Sequence, residues 1–505
     1  MTTPIDALYH HAIIHTGGTA FIHEDVVCSY YDLVIAAEQL ARALLSRGVQ
    51  PGDRIVLHMS NRPEMVFALY ACFRIGAIAC PMNLRYKAPE LREMFQRLRP
   101  SLYLGDEPLY STIESIEPEL LAPEKRFIIG PSQAYKGARP WSALHDGVIF
   151  TRLPPLPDAD APALLLTTSG TTGQPKFVTH TPASLTASTE SFAYSHFDGE
   201  HIVLNSAPLV HGSGLFTFLA CVNFGVAVVL VERFDPDIVL DQIEAHRCTF
   251  IGGLPFMFHA LLKHQRLRPR KINSLRRCVC VGDVCPIQLQ AEFEQSFGTP
   301  LRSMWGSTEA SGPLTYALQP GPVYRIVPGT EVRLVDNDGR TVPRGDVGEF
   351  LVRGPEVAAG YWIAPGVIEN LAPDGWFHSG DLMQQDENDE LWFVGRKKDL
   401  IIRGESNVSP IEVERVLLSH PQVRDAAVFG MPDPVLGQRV AAVVQLQGNG
   451  GGATRDKILS ATKMQLADYK VPELLVIVDA VPRNPLGKID RRALAISATS
   501  GTAII

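Results

Sequence analysis

Twice within residues 33–83 the chain passes from an amphipathic helical pattern into a short apolar strand pattern, and this alternation constrains the fold more than any other feature. Residues 33–47 carry apolar side chains at 33, 36, 37, 40, 41 and 44, one face of a helix; Gly48 ends it, and "DRIVLHM" follows as a buried strand. "MVFALYACFRIGAIACPMN" repeats the theme, and "GVAVVLVERF", "CTFIGGLP" and "LRRCVCVGD" add short apolar strands with helical patterns between them. Strands that are apolar on both faces need cover on both. The pattern therefore predicts an α/β fold of layered sheets packed between helices.

A chain of 505 residues exceeds one core, and roughly 150 residues per domain suggests about three. Hydrophobic residues at 46% and charged residues at 20% exclude a mainly disordered chain. The 46 basic and 54 acidic residues leave a net charge of −8, so no basic excess advertises nucleic acid. Eight cysteines, at 28, 72, 80, 221, 248, 278, 280 and 285, sit in apolar stretches without a CxxC pair and read as reduced core thiols. The first residues lack an export signal, and no apolar run approaches the ~20 residues of a membrane span, so a cytoplasmic protein is expected.

The texture changes near residue 395. "GRKKDLIIRGESNVSPIEVERVLLSH" brings a charge cluster, a short strand and a new helix, whose start at Ser409-Pro410-Ile411-Glu412 reads as a capping box with proline at the first helical position. Strands at 426–430, 440–446 and 474–480, with a helix near 455–466, make a compact α+β unit. The proline-rich stretch 152–162 reads as a surface linker.

Chemistry is most visible in "LLLTTSGTTGQPKF", residues 164–177, where an apolar strand turns abruptly into hydroxyls and glycines and ends at a lysine. Gly170 and Gly173 allow close backbone approach, Thr168, Ser169, Thr171 and Thr172 offer hydroxyls, and Lys176 adds a positive charge, a composition suited to cradling a polyphosphate. The spacing GxxGxxK is not that of a Walker A loop, and by composition alone a ligand-free Thr/Ser/Gly turn fits equally well.

The loop resembles the phosphate loop of the adenylate-forming superfamily, which includes acyl- and aryl-CoA synthetases, peptide-synthetase adenylation domains and firefly luciferases. Six further stretches match in the family's order: "APLVHGSGL" (207–215), "VGDVCP" (281–286), "MWGSTEAS" (304–311), "GWFHSGDL" (375–382), "FVGRKKDLI" (393–401) and "PRNPLGKIDR" (482–491). The resemblance implies a two-step reaction. A carboxylate attacks the α-phosphate of ATP to give an acyl-adenylate and pyrophosphate, and a thiol then displaces AMP to give a thioester.

The same resemblance implies roles residue by residue. Trp305 would stack on adenine, with Gly306 and Ser307 beside the nucleotide, and Thr308 and Glu309 would hold the α-phosphate and Mg²⁺, together with Thr168 at the metal. Taken alone, "WGSTE" reads more simply as a turn into a helix. Asp381 and Arg396 would bind the ribose, Gly282 would lie along the nucleotide, and Asp283 stands in the same segment where the family usually has small residues. Lys488 would stabilise charge developing on the phosphates during adenylation. Lys398 and Asp399 fall at the family's hinge. That implies a large ATP- and acyl-binding domain over 1–396 and a small mobile α+β domain over 397–505, whose rotation would exchange Lys488 for a second face in the thiol step. Gly404 belongs to that second face, where Glu405 and Ser406 depart from the usual pattern; Phe177, Tyr324 and Arg325 are further departures.

The segments implied to line the acyl pocket, after His211 and in "GGLPFMF" (252–258), contain no lysine or arginine, and "VHGSGL" has no aspartate to hold an amine. An uncharged aliphatic or aromatic acid is expected, with His211 either touching its carboxylate or packing at the pocket wall. A carboxylate–CoA ligase using ATP, Mg²⁺ and coenzyme A is the favoured reading. The alternatives are a ligase loading an acyl-carrier protein and a non-catalytic nucleotide-binding relative. The basic run 266–277 either meets the CoA phosphates or is a solvated face.

Overall fold

The computed structural model describes residues 3–131, 137–148, 152–168, 175–195, 197, 200–403, 406–447, 455–483 and 489–500. The chain divides into two compact units, Met1–Glu331 with Val352–Phe377, and Val332–Leu351 with His378–Ile505. Length alone suggested more domains than this; the first unit is large because one core is shared by two sheets.

The first sheet has seven strands in the order Leu301–Ser303, Arg277–Cys280, Phe250–Gly253, Ile202–Asn205, Ala227–Leu230, Thr19–His23, Val26–Ser29. All neighbours are parallel except the last hairpin. The second has nine strands, and its central strands Leu164–Thr168, Ile78–Pro81, Arg54–His58 and Leu102–Asp106 are parallel. At one side it continues antiparallel through Lys176–His180, Gly360–Ala364 and Val367–Glu369.

One core holds Phe21, Val203, Val228 and Phe250 of the first sheet together with Ile55, Leu57, Leu104, Leu164 and Leu166 of the second. The helix Pro63–Ile75 runs in this core with nine buried side chains from Met65 to Ile75. Its sequence is apolar on every side, as a helix covered all round must be. Its C-cap Gly76 sits at φ 73°, the left-handed conformation that glycine takes most readily. The helices Pro236–His246, Pro255–Leu267 and Ile287–Phe297 cover the other face of the first sheet, and Ala88–Leu98 and Glu107–Glu114 that of the second. The layers expected from the alternating pattern are all present.

In the second unit Ser406–Val408, Ile401–Arg403, Gly437–Leu446 and Val423–Asp433 form an antiparallel run, and Leu474–Val478 adds parallel to Gly437–Leu446. The helix Pro410–Leu418 begins where the sequence placed it, but only half of the capping box forms. Ser409 Oγ accepts from the Glu412 amide, whereas the Glu412 carboxylate is taken by Lys470 Nζ at 2.7 and 2.9 Å. A lysine 58 residues away is a stronger partner for a carboxylate than a backbone amide, and no local pattern announces it.

Candidate active site

Thr168 and Lys176 are cross-strand partners closing the hairpin between Leu164–Thr168 and Lys176–His180. Both strands are covered on both faces. Leu164 and Leu166 enter the shared core, while Leu165 and Phe177 enter the core beneath Ala88–Leu98. Ser169, Gly170, Thr171, Thr172 and Gly173 lie outside the described residues, so the structure fixes the two ends of the loop. The departure at Phe177 is a packing feature: its ring is fully buried, and the Arg97 guanidinium lies 4.9 Å from the ring centroid. Arg97 also donates to the Pro175 carbonyl at 2.7 Å and the Trp362 carbonyl at 3.3 Å, clamping the exit of the loop.

Lys176 Nζ sits 4.1 Å above the ring centroid of Tyr361, on the neighbouring strand Gly360–Ala364. The Tyr361 hydroxyl donates to Glu309 Oε1 at 3.2 Å. Burial and the nearby Glu309 carboxylate push the Tyr361 phenol well up, so it remains a donor at neutral pH. Three residues far apart in sequence are thus joined through one side chain.

Residues 304–311 form a turn between the strands Leu301–Ser303 and Leu314–Tyr316 and do not enter a helix. The turn is held by backbone bonds from Ser307 N to Ala310 O, 3.1 Å, and from Ala358 N to Glu309 O, 2.8 Å. His180 Nε2 lies 2.8 Å from the Thr308 carbonyl and Nδ1 lies 3.3 Å from Ser184 Oγ. A carbonyl can only accept, so Nε2 carries the proton. Burial lowers His180 to about 4, and the Thr308 bond offsets part of that effect. Trp305 is buried; Gly306 is exposed and Ser307 caps the turn through its hydroxyl to the Ala310 amide, 3.0 Å.

The helix Gly212–Phe224 brings the "VHGSGL" segment to the same place: a Cβ on Gly212 would stand 3.7 Å from Thr308 Oγ1. Gly214 has no room for a side chain, since a Cβ would meet the Ala207 and Pro208 carbonyl oxygens at 2.5 Å. His211 is the N-cap of this helix and is half-buried. Gly282 takes φ 82° and is exposed, while the Asp283 carboxylate accepts from the amide of the next residue, Val284, at 2.9 Å. Tyr324 is buried, and Arg325 is exposed on the strand Val323–Ile326 opposite Thr315.

Within the second unit Asp381 and Arg396 are cross-strand partners on Phe377–Gln385 and Leu391–Arg396, with Arg396 Nε 3.2 Å from Asp381 Oδ1. The two residues assigned to one sugar therefore face each other, with the aspartate buried. Lys397 and Lys398 lie in a 3₁₀ turn ending at Asp399, and Lys397 Nζ is 2.8 Å from the buried Glu349 carboxylate. Ser406 begins a short strand. Gly404, Glu405 and Lys488 lie outside the described residues. On either side of 484–488, Arg483 and Ile489 form a bridge, and Arg491 bonds to Glu414 and donates to the Val428 carbonyl at 3.0 Å.

Sequence reasoning missed Tyr361, His180 and Arg97. Tyr361 and His180 each place a polar tip on a strand that also buries large apolar residues, a signal that exists but names no partner. Three arginines of the basic run 266–277 are paired within their own unit: Arg266 with Glu292, Arg268 with Asp241, and Arg270 with Asp237 and Asp241. All eight cysteines are buried and free, and burial pushes Cys28, Cys72 and Cys248 up to about 12. Among the described residues no helix is long and apolar enough to cross a membrane.

Comparison with known proteins matches residues 9–362 to the AMP-binding enzyme family and residues 412–488 to the AMP-binding enzyme C-terminal domain. The chain is 33% identical to a feruloyl-CoA synthase of Amycolatopsis sp over 480 residues, 93% of this chain and 94% of that protein. It is 32% identical to the medium-chain fatty-acid–CoA ligase of Escherichia coli K12 over 483 residues, 92% and 84% of the two chains. Among solved structures it superposes on O-succinylbenzoate coenzyme A synthetase of Bacillus subtilis, in complex with ATP and a magnesium ion, with a TM-score of 0.82 and 28% identity over 97% of this chain and 98% of the other.

Proposed function

This chain belongs to the AMP-binding enzyme family and is an AMP-forming acid–CoA ligase, and on that premise we propose that its acid is an uncharged aliphatic or aromatic carboxylic acid. The observation that carries the site assignment is the chain of contacts from Lys176 through Tyr361 to Glu309, with Thr308 fixed by His180. It puts a cation, a carboxylate and a hydroxyl-bearing backbone turn beside one another at the mouth of the glycine loop.

In the first step a carboxylate oxygen of the acid forms a bond to the α-phosphorus of ATP, and the bond to the bridging oxygen breaks, releasing pyrophosphate. Lys176 offsets phosphate charge, the loop hydroxyls donate hydrogen bonds to the phosphate oxygens, and Lys488 stabilises the charge that grows in the transition state. Glu309 and the Thr308 hydroxyl are hard oxygen donors of the kind Mg²⁺ prefers, so these residues fit the metal, with Thr168 assigned beside them. Bound there, Mg²⁺ supplies charge neutralisation at the phosphate oxygens. Asp381 and Arg396 are assigned to the ribose and Trp305 to the adenine. Gly282 and Asp283 line the nucleotide through their backbone, since the Asp283 carboxylate already accepts from the Val284 amide. In the second step the CoA sulfur bonds to the acyl carbon and AMP leaves; Gly404 is assigned to this step, and Lys398 to the hinge between the two steps.

The substrate reading rests on the absence of charged side chains from residues 207–215 and 252–258 and on the exposed position of Arg325. The two curated relatives described above act, by their names, on an aromatic and an aliphatic acid. A panel of acids assayed for pyrophosphate release and CoA-thioester formation tests it. Benzoate-like or medium-length aliphatic acids should outperform malonate and free amino acids. A preference for a dicarboxylate that disappears in Arg325→Ala overturns the reading.

A further inference from the structure

The geometry points to Tyr361 as a positioning residue of the ATP site: its ring face seats the Lys176 ammonium and its hydroxyl restrains the Glu309 carboxylate, so that one rigid side chain sets the spacing of a phosphate-binding cation and a metal-binding anion. This deepens the function proposed above and rests on it.

Two contacts of different kinds meet on this residue. A lysine 4.1 Å from a tyrosine ring centroid lies within cation–π range, and the negative face of the ring attracts the ammonium without neutralising it. The hydroxyl bond to Glu309 Oε1, 3.2 Å, is charge-assisted. Both depend on a fixed backbone. Tyr361 pairs with Val178 on one side and Glu369 on the other, inside a sheet rather than on a loop. The adjacent Trp362 is buried, and its carbonyl is bonded by Arg97. Lys176 stands at the first position of its strand, and Glu309 is carried on the turn 304–311. Tyr361, held in the strand Gly360–Ala364, touches both.

The two contacts can be separated by substitution. Tyr361→Phe keeps the ring under Lys176 and removes the hydroxyl; Tyr361→Leu removes both. The measurement is equilibrium binding of ATP to the full chain, without acid, by isothermal titration calorimetry, once with Mg²⁺ and once with a chelator. Tyr361→Phe should bind ATP in chelator within about twofold of the parent, and ATP with Mg²⁺ roughly tenfold more weakly, the loss of one hydrogen bond to a charged group. Tyr361→Leu should weaken binding in both conditions, with an unchanged thermal midpoint showing that the fold survives. Equal affinity of Tyr361→Phe and parent for ATP with Mg²⁺, or an equal loss in both conditions, overturns the positioning role. Glu309→Gln run alongside separates the two levels of the argument. If it retains full Mg²⁺-dependent binding, the metal assignment of Glu309 falls and this inference with it. If it loses that dependence while Tyr361→Phe keeps it, only the role of Tyr361 falls.

Discussion

Replacing His180 by glutamine should change how the protein responds to acid more than it changes stability at neutral pH. The imidazole is buried, neutral and locked in one tautomer, with Nε2–H on the Thr308 carbonyl and Nδ1 facing Ser184 Oγ. Its folded-state value is lowered to about 4 from a reference of 6.5. Between those values the unfolded chain takes up a proton that the folded chain refuses. Stability from this group is therefore fully present above pH 6.5 and is lost as pH falls toward 4. At about 1.4 kcal/mol per unit, the loss is about 2 kcal/mol by pH 5 and about 3 kcal/mol by pH 4. Glutamine can donate to the Thr308 carbonyl but does not titrate. At pH 7.5 His180→Gln should cost about 1 kcal/mol through poorer hydrogen-bond geometry. At pH 5 the parent has lost its advantage, and the gap between the two proteins should have moved by about 2 kcal/mol in favour of the variant. His58 is lowered to about 4 as well, mainly by burial, and steepens both curves equally, so the difference isolates His180. Urea unfolding at pH 5.0, 6.0 and 7.5 measures it. Curves that stay parallel across this range would refute the buried, neutral His180 and with it the account of how the Thr308 turn is held.

Glu309→Gln should lower ATP- and acid-dependent pyrophosphate release by roughly two orders of magnitude, the scale of a lost metal-facing charge, while the urea midpoint stays unchanged; undiminished release removes Glu309 from the site. Lys488→Ala should lose acyl-adenylate formation by about two to three orders of magnitude yet still transfer a pre-made acyl-adenylate to CoA. Lys398→Pro should do the reverse, since proline fixes φ near −65° where a hinge must turn. Single-turnover kinetics of each half-reaction tests both, and equal losses in both steps would remove the hinge assignment.

The layers of the first unit were legible because fully covered strands cannot hide: "DRIVLHM" and "LRRCVCVGD" are apolar without alternation, and each is a parallel strand with cover on both faces. The site was legible to the extent that its chemistry is written in short stretches. Lys176, Glu309, Asp381 and Arg396 were named from such stretches, and the structure places Asp381 against Arg396 and joins Lys176 to Glu309. The joining residue was not legible. Tyr361 stands 185 positions after Lys176, and its role depends on strand register, which the hydrophobic pattern around 360–364 does not encode. Glu412 failed in the opposite direction: a correct local motif lost one of its bonds to a distant Lys470. Asp283 shows the third case, an acidic residue at a candidate site position whose carboxylate accepts from the next backbone amide.

The clamp of Arg97 on the exit of the glycine loop constrains which mutations this chain can accumulate. Two of its three contacts are addressed to carbonyl oxygens, of Pro175 and Trp362, and every residue type supplies a carbonyl. A change of side chain at 175 therefore leaves that carbonyl available, while the Trp362 carbonyl is held in place by its own buried ring. The third contact is to the ring of Phe177, which no small residue can imitate. A change to glycine at 177 would empty a buried volume and strip the guanidinium of its cover in the same event, so one substitution disturbs both residues. Arg97 and Phe177 are a coupled pair, so the stability losses from removing each should not add in a double-mutant cycle.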